Sequence, residues 1–263
     1  MSLVQVADQG DGVVLVTLSD PDRRNAMTAG MGADLSAALA GLQARADVRA
    51  VVLTGAGPAF SGGGDLALLE DKAARAKAGE DQAGSMRRFY DVFLSVVRAP
   101  FPVLAAVNGH AVGAGACVAI ACDLAVVSAD AKIGFNFVRL GIHPGMGGSW
   151  TLPRLVGPQR AAELLYTGRL VTGEEAADYG MALEAVPARQ VLPRTLELAA
   201  AIARGAPQPV RQLKRSLAGA GGRTLDQQLD VEAAAQGENY RTADVDEGLR
   251  AARDRRPPHF TGR

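Results

Sequence analysis

Apolar and polar positions change period several times along the chain, and each change marks an element. Residues 3–7 and 13–18 flank the turn Gln9-Gly10-Asp11-Gly12, which predicts a β-hairpin. Ser19-Asp20-Pro21-Asp22 reads as a loop. Thr28 occupies a helix-cap position, and Met31, Leu35, Leu39 and Leu42 follow at helical spacing. Residues 50–54 are a continuous apolar run, the mark of a strand covered on both faces. Residues 55–64 are rich in glycine and read as a loop that approaches something closely. The charged, alanine-rich stretch 66–83 is a helix or a flap. Phe89, Phe93, Val96 and Val97 mark an amphipathic helix that ends before Pro100. Residues 102–107 predict another buried strand, 113–121 a helix of small residues, and 124–128 a further strand.

This alternation of strand and helix predicts the α/β class. Beyond Leu152 helical patterns dominate, apart from a short strand near 183–186. Segments 191–204, 210–217, 225–240 and 245–253 each have helical spacing, and Asp244 with Glu247 resembles a capping box. No internal repeat is visible. The expected organisation is a mixed body, residues 1–200, and an all-helical tail, residues 201–263.

Charge narrows the possible partners. The chain carries 28 basic and 28 acidic residues, so no basic footprint points to nucleic acid or anionic lipid. The longest uncharged run, 101–122, is broken by Pro102 and by Asn108-Gly109-His110, which favours a strand, a turn and a buried helix over a membrane span. The N-terminus lacks the basic start and apolar stretch of a signal peptide, and two cysteines make no disulfide framework. The expected setting is cytoplasmic.

Several catalytic motifs are incomplete. Gly113-Ala114-Gly115 lacks the third glycine of a dinucleotide fingerprint, and Gly62-Gly63-Gly64 lacks the lysine of a phosphate-binding loop. Neither Ser61 nor Ser149 completes a nucleophile elbow. Three histidines and two cysteines have no metal-ligand spacing. Two Gly-rich segments remain, residues 58–66 and 106–115, each following a predicted strand. They are either tight turns or two sets of backbone N–H groups that converge on one oxyanion.

Together these segments resemble the crotonase, or enoyl-CoA hydratase/isomerase, superfamily. The matching residues are Arg23-Arg24-Asn25-Ala26-Met27, Ala59-Phe60-Ser61-Gly62-Gly63-Gly64-Asp65-Leu66 and Val107-Asn108-Gly109-His110-Ala111-Val112-Gly113-Ala114-Gly115. Residues 140–148, 152–157 and 255–260 fit as well. The resemblance implies a crotonase-like fold of repeated ββα units with a C-terminal helical trimerisation region, trimers often pairing into hexamers. It implies an acyl-CoA thioester as substrate, coenzyme A entering only as part of it, with no separate cofactor and no metal. The Gly64 and Ala114 amides would form the oxyanion hole, and Arg24, Ala26, Ser61, Gly62, Asp65, Leu66 and Phe137 would contact the acyl-CoA. Asp65 is either such a contact or a turn-stabiliser.

The chain departs from that pattern at the proton-transfer positions. The two glutamates of the family's hydratases are replaced by Cys117 and Phe137, and an acid used by some isomerases is replaced by Gly145. Cys117 is either a small buried hydrophobe or an acid–base group, and His143 either a solvated loop residue or the base. Tyr90 and Asp91 sit on a helix over the acyl pocket, and helical phase alone leaves open which points inward. Three readings stay in play: an atypical hydratase or isomerase, an acyl-CoA decarboxylase, and a non-catalytic acyl-CoA binder.

Overall fold

The computed structural model describes residues 2–263. Strands β1 (Val4–Gly10) and β2 (Val13–Leu18) form the expected antiparallel hairpin, and Gly10, Asp11 and Gly12 in its turn all have positive φ. The other strands are β3 (Ala50–Gly55), β4 (Ala59–Ser61), β5 (Val103–Val107), β6 (His110–Val112), β7 (Leu124–Ser128), β8 (Lys132–Gly134), β9 (Leu170–Thr172) and β10 (Glu184–Val186). They make a six-stranded sheet, β1-β2-β3-β5-β7-β10, parallel from β2 onward. A four-stranded sheet, β4-β6-β8-β9, lies beside it, with only its β8–β9 pair antiparallel.

The unbroken apolar runs follow from burial of both faces of the larger sheet. Val13, Ala50, Val52, Leu104, Ala106 and Val126 meet Val191 and Ala199 of α8 (Ala188–Ala203). The alternate residues, among them Val14, Val51, Leu53, Val103 and Val107, face a second, larger core. That core receives Met31, Leu35, Leu39 and Leu42 from α1 (Ala29–Gln43) and nearly all of α5 (Ala114–Ala121). Thr28 caps α1, its hydroxyl accepting from Met31 N at 3.1 Å. The stretch after Asp65 is helical, as α2 (Leu66–Lys77) and α3 (Ala83–Phe93), followed by the short α4 (Ser95–Arg98).

The C-terminal half contains α6 (Gly148–Thr167), α7 (Gly173–Asp178), α9 (Pro207–Ala220), α10 (Leu225–Asn239) and α11 (Ala243–Asp254). Lys214 ties α9 to the body, donating to the Val96 and Phe101 carbonyls at 3.3 and 3.0 Å and to Asp123 at 2.8 Å. The expected capping box at Asp244 does not form. Thr242 caps α11 instead, while the Asp244 carboxylate accepts the amides of Thr261 and Gly262 at 2.7 and 2.9 Å. Glu247 is engaged by Arg256 and by the His259 amide, which hold it at about pKa 2. Among the described residues, no helix is long and apolar enough to cross a membrane.

One buried side chain joins the first turn to the end of β4. Asn25 is in the left-handed region, φ 53°, which asparagine tolerates better than most residues. Its Oδ1 accepts from Asp20 N at 2.9 Å. Its Nδ2 donates to the Ala56 and Ala59 carbonyls, both at 2.9 Å, and to Phe60 O at 3.3 Å. Asn25→Ala would strand these buried carbonyls and remove the left-handed tolerance. The expected loss is about 1–3 kcal/mol of folding free energy, measured by urea unfolding. A loss below about 0.5 kcal/mol, the range of inert surface changes, would refute this joining role.

Candidate active site

Two strand-to-helix turns meet beside β4 and β6. The first leaves β4 through Gly62, Gly63 and Gly64 and enters α2, whose N-cap is Asp65. Asp65 Oδ1 accepts from Leu68 N at 2.9 Å, so this carboxylate does the work of a turn-stabiliser. The second turn passes from β6 through Gly113 into α5. Gly113 has φ 54° and ψ −119°, a conformation open mainly to glycine, and its N–H donates to Gly134 O at 2.7 Å. Gly63 has φ 97°, and a Cβ there would stand 2.5 Å from Val112 O. The two turns therefore touch backbone to backbone.

The first turn is laced to residues 24–27 from outside. Gly62 N donates to Arg24 O and Met27 N to Gly63 O, each at 2.7 Å. Ser61 is fully buried. Its hydroxyl donates to Asn25 O at 2.8 Å and accepts from Gly63 N at 3.2 Å. This removes Ser61 from the expected ligand contacts and makes it a positioning residue. Ala26 is 8% exposed beneath the same turn. The Arg24 side chain is exposed and meets no carboxylate among the described residues.

Gly64 and Ala114 line one cavity of about 240 Å³, together with Gly62, Leu66, Phe89 and Phe137. Among the described residues, no protein carbonyl accepts either of their N–H groups. For Ala114 the reason is general, because the first amides of a helix have no partner within it. The positive end of the α5 dipole adds to the field there. Gly64 and Ala114 thus carry amides without protein acceptors at the lining of one cavity.

The walls are mostly apolar. Phe137, 9% exposed, closes one side from the 3-10 helix Asn136–Leu140, and Leu66, 64% exposed, lies at the rim. No carboxylate lines the cavity among the described residues; its polar side chains are Tyr90, Asn136 and His143. His143 is exposed, and its Nδ1 lies 2.7 Å from Pro144 O. That carbonyl can only accept, so Nδ1 is the donor in this contact.

Cys117 does not belong to this set. It is one helical turn beyond Ala114, but its Sγ turns to Gly145 O at 3.6 Å and is fully buried. Burial pushes the thiol up to about pKa 12, so it is inert at neutral pH. The ambiguity over α3 also resolves. Tyr90 lines the cavity, while Asp91 lies outside and is paired with Arg87 and Arg98, which hold its carboxyl below the ordinary range.

Comparison with known proteins agrees with this architecture. The family described as enoyl-CoA hydratase/isomerase matches residues 8–263. A probable enoyl-CoA hydratase of Rhodobacter capsulatus is 40% identical over 254 residues, covering 96% of each chain. A 1,2-epoxyphenylacetyl-CoA isomerase of Escherichia coli is 34% identical and also covers 96% of each. The crystal structure of an enoyl-CoA hydratase from Polaromonas superposes with a TM-score of 0.91 at 32% identity, covering 98% of this chain and 99% of that one. The chain belongs to the enoyl-CoA hydratase/isomerase family.

Proposed function

We propose that this enzyme binds an acyl-CoA thioester with its carbonyl oxygen between the Gly64 and Ala114 amides, and stabilises the enolate that forms there. The observation that carries this reading is the pair of amides without protein acceptors on one apolar cavity. Arg24 would meet coenzyme A phosphate, and Ala26, Gly62, Asp65 and Leu66 would shape that approach; the exposure of Arg24 beside Gly62 supports this. Phe137 bounds the acyl group, and His143 Nε2 is the base. No further cofactor is needed, and the setting inferred from two unpaired cysteines is the cytoplasm.

A second reading has a specific observation behind it. With no carboxylate on the cavity wall, a decarboxylation suits the site, because loss of carbon dioxide itself leaves the enolate. Turnover of crotonyl-CoA, a 3-enoyl-CoA and a malonyl-type thioester separates the reactions, and binding without turnover of any of them would leave an acyl-CoA binder.

Three outcomes are expected. Gly64→Pro removes one N–H outright and should lower turnover about 10²–10³-fold, with folding checked by circular dichroism. Full turnover in the folded variant would refute the oxyanion assignment. Crotonyl-CoA hydration, followed by loss of enoyl absorbance, should run orders of magnitude below that of a glutamate-bearing relative, since each acid–base group contributes about 10²–10⁴-fold. Comparable rates would overturn this expectation and show that a group other than a carboxylate activates water here. The helices α9, α10 and α11 expose Leu213, Leu217, Leu225, Leu229 and Leu249, so a trimer or a dimer of trimers is expected in light scattering. A monomer at micromolar concentration would overturn that.

A further inference from the structure

We propose that the Tyr90 hydroxyl is the proton donor of this cavity, delivering its proton to the substrate carbon next to the thioester carbonyl. This rests on the thioester reading above. Tyr90 reaches the cavity because α3 is locked in rotation. A Cβ on Gly32 of α1 would stand 2.6 Å from Val92 and 2.9 Å from the Phe93 ring, so this bare Cα lets α3 pack closely. Met86, Phe89, Tyr90 and Phe93 recur at intervals of three and four and therefore share one face. Phe93 is buried against α1, and Phe89 meets Phe93 and Tyr90 edge-on at 5.1 and 6.4 Å between centroids. Phe93 thus sets the phase, and Tyr90 follows.

The hydroxyl then finds space where another side chain would be. A Cβ on Gly145 would stand 2.7 Å from the Tyr90 hydroxyl and 2.8 Å from its ring carbon Cζ, so phenol and side chain exclude each other. Gly145 lines the same cavity. Among the described residues, no protein group hydrogen-bonds the Tyr90 hydroxyl. Burial raises the phenol above its ordinary range, with the Cys117 thiol adding to the effect. The group is therefore protonated, a donor rather than a base. Of its neighbours on the cavity wall, the Asn136 amide does not exchange a proton usefully, and His143 Nε2 is the base that removes a proton.

The enolate uses its carbon electron pair to form a C–H bond with the phenolic proton, and the thioester carbonyl reforms. The Tyr90 O–H bond breaks and leaves its electron pair on the phenolate oxygen. His143 Nε2 takes the substrate proton as the enolate forms and releases it to water, and water returns a proton to the phenolate, so both groups end as they began.

The test uses the full chain with butyryl-CoA in deuterium oxide. Proton NMR follows exchange at the carbon next to the carbonyl, and calorimetry gives Kd. Tyr90→Phe should slow exchange about 10²–10⁴-fold with Kd unchanged within about twofold. Gly145→Ala keeps the hydroxyl but displaces it, and should slow exchange similarly. Exchange at the wild-type rate in Tyr90→Phe, with Kd unchanged, would overturn the donor assignment and leave the thioester reading standing. Wild-type protein that binds butyryl-CoA without exchange would overturn it as well. Failure of the wild-type protein to bind butyryl-CoA would overturn both.

Discussion

Gly63 and Val112 come so close that a single methyl group between them would meet a carbonyl oxygen at 2.5 Å, and the site depends on that contact. It brings the ends of β4 and β6 together, and with them the amides of Gly64 and Ala114. Neither turn could hold this approach alone. Asn25 ties the first to residues 56–60, Ser61 and the backbone of residues 24–27 tie it from outside, and Gly134 O holds Gly113 from the other side. Asn25, Ser61, Gly113 and Gly134 are buried, so their bonds are worth more broken than made: leaving one partner unpaired costs about 1–3 kcal/mol. The geometry is over-determined, which is the condition for holding residues at positive φ.

An apolar cavity with free amides favours one kind of chemistry. Hydrogen bonds to a developing negative charge strengthen in a dry, low-dielectric setting. The same setting penalises an ionised side chain, as the buried Cys117 illustrates. A wall without carboxylates therefore leaves backbone dipoles as the stabilisers of charge. The polar side chains on that wall are a phenol, an imidazole and an amide.

The larger sheet was legible in the sequence because strands covered on both faces must be largely apolar, as residues 50–53 and 103–107 are. The α1 cap was legible because Thr28 has one available role. The smaller sheet was not: β4, β6, β8 and β9 have three residues each, too few to establish a period, and three of them lie in or beside glycine-rich turns. Asp244 misled because a carboxylate three residues before a glutamate matches a cap pattern locally, while the competing amides belong to Thr261 and Gly262 far along the chain. The Gly64 and Ala114 positions could be named from motifs. Whether Tyr90 or Asp91 faced inward depended on Phe93 meeting Gly32, a tertiary contact that spacing along α3 does not encode.

A site made from backbone amides also changes where mutations do harm. Side chains on the wall, such as Leu66 or Phe137, can vary in size without moving the Gly64 and Ala114 amides. The glycines cannot. Any side chain at position 63 pushes the two turns apart, and a side chain at position 115 would meet Ser61 Cβ at 2.6 Å, shifting α5 and the Ala114 amide with it. The glycine excess of this chain is thus partly a property of the site rather than of the fold. The apolar wall is free to drift, while the geometry of the two turns is set by residues with almost no side chain to change.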